Sequence, residues 1–158
     1  MVPRASQTVV TPLPAGDLVA MAQCIAIDAE SFPFASIQFN RNARGAPLWI
    51  ARESAGPRVL GFVATRRRHT DLDIEALAVT PEAQRRGIGR SLLRTAIAHA
   101  RRSRLKTVSL HVWEGNANAI RMYEREGFVI LRAQPGYYRP GAFDAAGNAY
   151  EMVLQLKV

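Results

Sequence analysis

The segment Gln84-Arg85-Arg86-Gly87-Ile88-Gly89 lies between an apolar run, Ala76-Leu77-Ala78-Val79, and an amphipathic stretch from Ser91 to Arg102. A β-rich run, a basic glycine-bearing loop and a helix in that order allow few folds, because the chain must turn sharply from strand into helix. Glycines let a backbone come close to a ligand, and successive N–H groups at a helix start point at anionic oxygens. The loop is expected to hold a pyrophosphate. A dinucleotide loop would read G-x-G-x-x-G with an acidic residue about 20 positions on, and a P-loop would read G-x-x-x-x-G-K-[ST]. Neither is present.

Upstream, Thr8 to Thr11 reads as a first strand, and the Pro12 to Gly16 turn leads to a helix with Leu18, Met21, Ala22 and Ile25 on one face. Phe32-Pro33-Phe34 must break that helix, and a second short one is expected from Ala35 to about Ala43. Leu48 to Ala51, Val59 to Thr65 and Leu72 to Val79 form an antiparallel meander, with turns at Ser54-Ala55-Gly56-Pro57 and His69-Thr70-Asp71. After the loop, Leu92, Leu93, Ala96, Ile97 and Ala100 recur at helical spacing, with Arg90, Arg94 and Arg101 off the stripe. Thr107 to Val112 is a strand, Asn116 to Glu126 a helix ended by Gly127, Phe128 to Leu131 a strand, and Ala149 to Leu156 the last strand. With no repeat or linker, residues 1–158 read as one α/β domain.

The loop fits the Q/R-x-x-G-x-G/A pattern of Gcn5-related N-acetyltransferases (GNAT), and the chain resembles that superfamily. The block from Leu110 to Phe128 resembles the N-x-x-A-x-x-x-Y-x-x-x-G-F signature of the branch that acetylates ribosomal-protein N-termini. This resemblance implies the GNAT fold, a mixed, mostly antiparallel sheet splayed between the strand ending near Val79 and the one starting near Thr107, flanked by helices. It implies acetyl-CoA as cofactor, held by Gln84, Arg85, Arg86, Gly87, Ile88, Gly89, Arg90 and Ser91. Leu77, Ala78 and Val79, on a strand that bulges in the superfamily, would bind the pantetheine and acetyl carbonyl through their backbone. Asn116 and Ala119 would line the cofactor arm, and Tyr123 would protonate the departing thiolate; burial and helix capping are the plain alternatives for Tyr123 and Asn116.

Two residues qualify as general base. In Thr107–Val112 alternation puts His111 on a face with Ser109 and Trp113, opposite Val108, Leu110 and Val112. Relatives in bacteria often carry Glu at this strand position, and some eukaryotic N-terminal acetyltransferases resemble this chain in having His. An imidazole accepts a proton readily near neutrality. Glu75 is the second candidate, against the alternative of a solvent-facing strand carboxylate. Phe32, Pro33 and Phe34 resemble an element lining the first-residue pocket, and Tyr137 and Tyr138 the aromatic pair of the late loop; both would wall the acceptor site, with core anchoring as the alternative.

The acceptor is expected to be a protein or peptide N-terminus, with a ribosome-associated substrate in view. An α-amine with pKa near ~8 is about a quarter neutral at pH ~7.5, whereas a lysine near ~10.4 is about a thousandth neutral, so a weak base suits the former. Small amines, lysine side chains and a non-catalytic CoA- or RNA-binding role are the alternatives. The +8 charge, carried by arginine with only Lys106 and Lys157 as lysines, suits a phosphate-bearing partner. Arg66-Arg67-Arg68 and Arg101-Arg102-Ser103-Arg104 lack interleaved aromatics, so they read as solvated and no dedicated nucleic-acid site is expected. Cys24 is the sole cysteine, which excludes an intrachain disulfide and a cysteine-rich metal site. No metal is expected. No apolar run nears the ~18 residues of a membrane span, and a soluble, cytoplasmic enzyme is expected.

Overall fold

The computed structural model describes residues 7–33, 47–54 and 56–157. Seven strands form one mixed sheet: β1 (Thr8–Pro12), β2 (Leu48–Glu53), β3 (Val59–Arg68), β4 (Asp71–Val79), β5 (Thr107–Trp113), β6 (Val129–Gln134) and β7 (Ala149–Gln155), in the order β1-β2-β3-β4-β5-β7-β6. Among the described residues three α-helices accompany it, α1 (Leu18–Ser31), α2 (Ile88–Arg102) and α3 (Ala117–Arg125). None of the described helices is long and apolar enough to cross a membrane.

Chain contacts divide the fold into two compact units, Met1–Ala64 with Ala76–Ala96 and Thr65–Glu75 with Ile97–Val158. In the first, β1 and β2 pair antiparallel from Thr8↔Glu53 to Pro12↔Trp49, and β2 pairs with β3 through a register shift at Ala51/Arg52. Its core gathers Ile50, Phe62, Val59, Ala76 and Ala78 with Ala20, Cys24 and Ile27 of α1.

The helix α1 corrects the expected packing. The face with Leu18, Met21, Ala22 and Ile25 is turned outward, Leu18 at 73% and Ile25 at 46% exposure, and the buried stripe is Ala20, Cys24, Ile27 and Asp28. Apolar residues occur all around this helix, so periodicity alone cannot choose between faces. Asp17 caps the helix by accepting from Ala20 N at 2.9 Å. It ends as expected at Phe32, whose extended backbone (φ −128°, ψ 142°) leads into Pro33. The helix expected from Ala35 to Ala43 lies outside the described residues.

In the second unit β4 and β5 run parallel from Asp71↔Thr107 to Ile74↔Leu110. β5 pairs antiparallel with β7 along its whole length, and β7 pairs with β6 across a shift at Ile130/Arg132. Burial alternates along β5, with Val108, Leu110 and Val112 inward and Ser109, His111 and Trp113 half-exposed, as expected. The stripe of α2, with Leu92, Leu93 and Ala96 in the first unit and Ile97 and Ala100 in the second, is buried, also as expected.

Candidate active site

The phosphate-loop end is built from main chain. β4 ends at Val79, Thr80 N donates to Leu60 O at 2.8 Å, and a short 3-10 turn, Pro81–Ala83, precedes the loop. Arg85 (φ +63°) and Gly87 (φ +78°) both take the left-handed conformation, which reverses the chain and re-aims successive N–H groups. Helix α2 then starts at Ile88, earlier than the Ser91 start read from the sequence, and Ser91 N makes an opening helical bond to Gly87 O at 3.0 Å. Ile88 is buried and anchors the turn. The N–H groups of Ile88 and Gly89 have no acceptor within the helix, which makes this end suited to an anion.

Two side chains here make contacts within the protein. Gln84 Nε2 donates to Val79 O at 3.2 Å, so it ties the loop to the strand end. Arg86 Nη2 lies 3.4 Å from Glu53 Oε1 in an exposed pair. The alternation of burial runs unbroken from Asp71 to Val79, so the bulge expected at Leu77, Ala78 and Val79 leaves no break in side-chain phase; Ala78 faces the core while Leu77 and Val79 are half-buried.

The second unit carries the titratable and aromatic candidates. His111 stacks flat on Tyr137, with ring centroids 4.2 Å apart and 5° between planes. Tyr138 meets Tyr137 edge-on at 4.9 Å and Phe143 edge-on at 4.8 Å, and Phe143 stacks on Trp113 at 5.2 Å. Tyr137 thus lies directly on His111, and Tyr138 is joined to it through Tyr137. Sequence reading placed Trp113 on the His111 face but missed Phe143, because nothing in local spacing links positions thirty residues apart.

Tyr123, on α3, is buried and tilted against Phe128 at 5.8 Å. Burial pushes its phenol up to about 12, so it stays protonated at neutral pH and can act only as a donor or acceptor of hydrogen bonds or as an acid. Asn116 caps α3, its Oδ1 accepting from Ala119 N at 3.2 Å. This is the capping role weighed above, and it engages both Asn116 and Ala119.

Glu75 is not a free carboxylate. It is ion-paired with Arg66 on the other arm of the β3–β4 hairpin, and burial, opposed by Arg66, raises its pKa. Asp73, unremarked in the sequence, accepts from Ser109 Oγ at 3.4 Å; burial raises its pKa against the opposing pull of Arg68 and His111. Glu151 of β7 pairs with Arg132 Nε at 2.7 Å. Arg67 and Arg68 are exposed, as expected of a solvated run.

Phe32 packs against the core of the first unit, Pro33 is exposed, and Phe34 lies outside the described residues. Core anchoring therefore holds for Phe32. Cys24 is fully buried and its thiol is pushed up to about 12, which removes it as a nucleophile. The described residues contain no cluster of three or more His, Cys, Asp or Glu able to hold a metal.

Residues 16–128 match the family model of the acetyltransferase (GNAT) family. The chain belongs to the GNAT acetyltransferase family. It is 32% identical over 110 residues to the [ribosomal protein bS18]-alanine N-acetyltransferase of Salmonella typhimurium, covering 70% of this chain and 74% of that one. It is 34% identical over 96 residues to the mycothiol acetyltransferase of Propionibacterium freudenreichii subsp. shermanii, covering 58% of this chain and 30% of that protein. The chain thus spans about a third of the length of the mycothiol acetyltransferases it matches.

Among solved structures, the ribosomal-protein-S18-alanine N-acetyltransferase of Escherichia coli superposes with a TM-score of 0.81 at 26% identity, covering 96% of each chain. NAA60 of Arabidopsis thaliana in complex with acetyl-CoA superposes at 0.78 and 21% identity, over 95% of this chain and 99% of that one. The GNAT fold and the acetyltransferase class expected from sequence are in agreement with these findings, and the NAA60 structure carries acetyl-CoA.

Proposed function

We propose that this GNAT protein is an acetyl-CoA-dependent N-acetyltransferase acting on the α-amine of a protein or peptide N-terminus in the cytoplasm, a ribosome-associated chain included. The observation that carries this reading is His111 on the open face of β5, stacked at 4.2 Å on an aromatic loop that could hold a peptide end. The relative at 32% identity, which acetylates a ribosomal-protein alanine by its name, supports the same reading.

The loop fits a CoA pyrophosphate, since two left-handed residues followed by a helix start offer main-chain donors with little side-chain obstruction: a Cβ at Gly87 would meet no atom within 4 Å. Gln84 to Ser91 would hold the phosphates, with arginines supplying charge, and Leu77 to Val79, Asn116 and Ala119 would steady the arm. Bound acetyl-CoA supplies an activated acetyl thioester. His111 takes the proton from the attacking amine, directly or through a water. Glu75 is second choice as base because Arg66 already holds it. Tyr123 Oη gives a proton or hydrogen bond to the leaving sulfur, a role its burial preserves by keeping it protonated.

A second reading, transfer to a small-molecule amine, is favoured by a different observation. Asp73, Glu75 and Glu151 are half-buried on the second unit, and carboxylates of that kind suit a cationic acceptor. The mycothiol acetyltransferase relatives point the same way. Rates on one peptide with a free N-terminal alanine, and on its N-terminally blocked form bearing an internal lysine, separate the readings. The free peptide should react and the blocked one should not; equal rates, or turnover of spermidine alone, would overturn the N-terminal specificity.

A further inference from the structure

The connection between β6 and β7, residues 135–148, is long for a loop without regular structure, and such loops are usually functional. Two side chains fasten this one: Asn148, whose Oδ1 accepts from Gly136 N at 3.1 Å and whose Nδ2 donates to Glu114 Oε1 at 3.2 Å, and Asp144. Asp144 Oδ1 accepts from Gly147 N at 2.7 Å and from Ala146 N at 3.1 Å, while Asp144 Oδ2 accepts from Trp113 Nε1 at 3.1 Å on β5. One carboxylate oxygen folds the loop on itself and the other ties it to the sheet.

The surroundings are shaped to that tie. Gly115 leaves room for the Trp113 indole, since a Cβ there would come within 2.3 Å of the ring. Gly147 has φ +64° and lies so close to Tyr138 that a Cβ would be 2.4 Å from the Tyr138 carbonyl oxygen; the same two residues form a second strap, in which Tyr138 N donates to Gly147 O at 2.9 Å. From Trp113 the rings run Phe143, Tyr138, Tyr137 and back to His111, two residues away on the same face of β5. The loop is therefore an aromatic arch with both feet on one strand, and Asp144 holds the foot far from the imidazole.

We propose that Asp144 is a positioning residue: by latching the arch to Trp113 it holds Tyr137 against His111 and so sets the affinity for the acceptor. This rests on the N-acetyltransferase reading given above. Asp144 reaches no reacting atom. A preorganised wall binds its ligand without first being ordered, and a loosened wall binds more weakly. The hydrogen bonds from Gly147 and Trp113 also hold the Asp144 carboxyl below the ordinary carboxylate range, so the latch persists in mild acid.

The near-isosteric Asp144→Asn can serve only one side of the latch, because its amide offers one acceptor oxygen where the carboxylate has two. Trp113→Phe keeps the ring stack and removes the donor alone. In both, amide exchange at Tyr138 and Gly147 should quicken, and KM for the N-terminal alanine peptide should rise about 5- to 30-fold while kcat changes less than about 3-fold and acetyl-CoA affinity stays put. If exchange is unchanged, Asp144 is no latch. If exchange quickens and the peptide KM does not move, the latch exists but does not govern the acceptor, which also overturns the proposal. Should spermidine and not the peptide be the acceptor, the N-terminal reading fails while the same KM comparison with spermidine still decides the role of Asp144.

Discussion

The phosphate-loop end and the aromatic arch solve recognition with different materials. Around Gly87 the ligand would be met by N–H groups whose direction is set by two left-handed backbone conformations, and the side chains there are exposed or tied back, Gln84 to Val79 and Arg86 to Glu53. Around His111 it would be met by rings whose places are set by one another and by Asp144. A backbone site depends on φ and little on residue identity, which suits a constant group such as pyrophosphate. A side-chain site depends on each residue, which suits an acceptor that varies from one relative to the next.

The strongest way to sharpen this contrast is to remove the chemistry and leave both surfaces intact. Tyr123→Phe should lower kcat by about 10²- to 10⁴-fold with acetyl-CoA affinity within about 2-fold, read by steady-state rates and calorimetry. Unchanged turnover would leave Tyr123 as packing alone. His111→Ala should cost about 10²-fold near neutrality and be partly rescued as pH rises through the amine's own pKa near ~8, since the free amine then needs no base. A pH-independent loss would assign His111 to structure.

Next in size is the backbone. Gly87→Val forces a β-branched residue into the left-handed region, at roughly 1–2 kcal/mol, so acetyl-CoA affinity should fall by about 10-fold while acceptor KM holds. Titration calorimetry on the folded variant measures it, and undiminished affinity would break the claim that main chain makes this site.

The smallest effects concern charges. Burial raises the pKa of Asp73, so its protonated form is the one the fold favours, and the stability it confers is lost as pH rises through that raised value. Asp73→Asn, which can still accept from Ser109, should therefore raise Tm by about 2 °C at pH ~7 and flatten the rise in stability on acidification. A lower Tm at pH ~7 would mean the pull of Arg68 and His111 outweighs burial. The exposed Arg86–Glu53 pair should contribute under about 1 kcal/mol, so Arg86→Ala should leave Tm within about 2 °C while weakening acetyl-CoA a few-fold.

How far such features could be read from sequence depends on where their information lies. The stripe of α2 was legible because Leu92, Leu93, Ala96, Ile97 and Ala100 are apolar against a charged remainder, and periodicity then names the buried face. For α1 it failed, since Leu18, Val19 and Ile25 are apolar yet exposed and the core takes Ala20, Cys24 and Ile27. The loop and His111 were legible from local pattern: glycine before a helix, alternation along a strand. The Asp144–Trp113 tie and the Glu75–Arg66 pair were not, because each joins residues that only the folded chain brings together, and neither spacing nor composition encodes a particular partner.

The division of labour itself is tested most directly by one crossed measurement, the KM for acetyl-CoA and the KM for the N-terminal alanine peptide in Gly87→Val and in Tyr138→Ala. The account predicts that Gly87→Val raises the first by about 10-fold and spares the second, and that Tyr138→Ala does the reverse. Either variant raising both constants equally would contradict it, because the loop and the arch would then not recognise separate ligands.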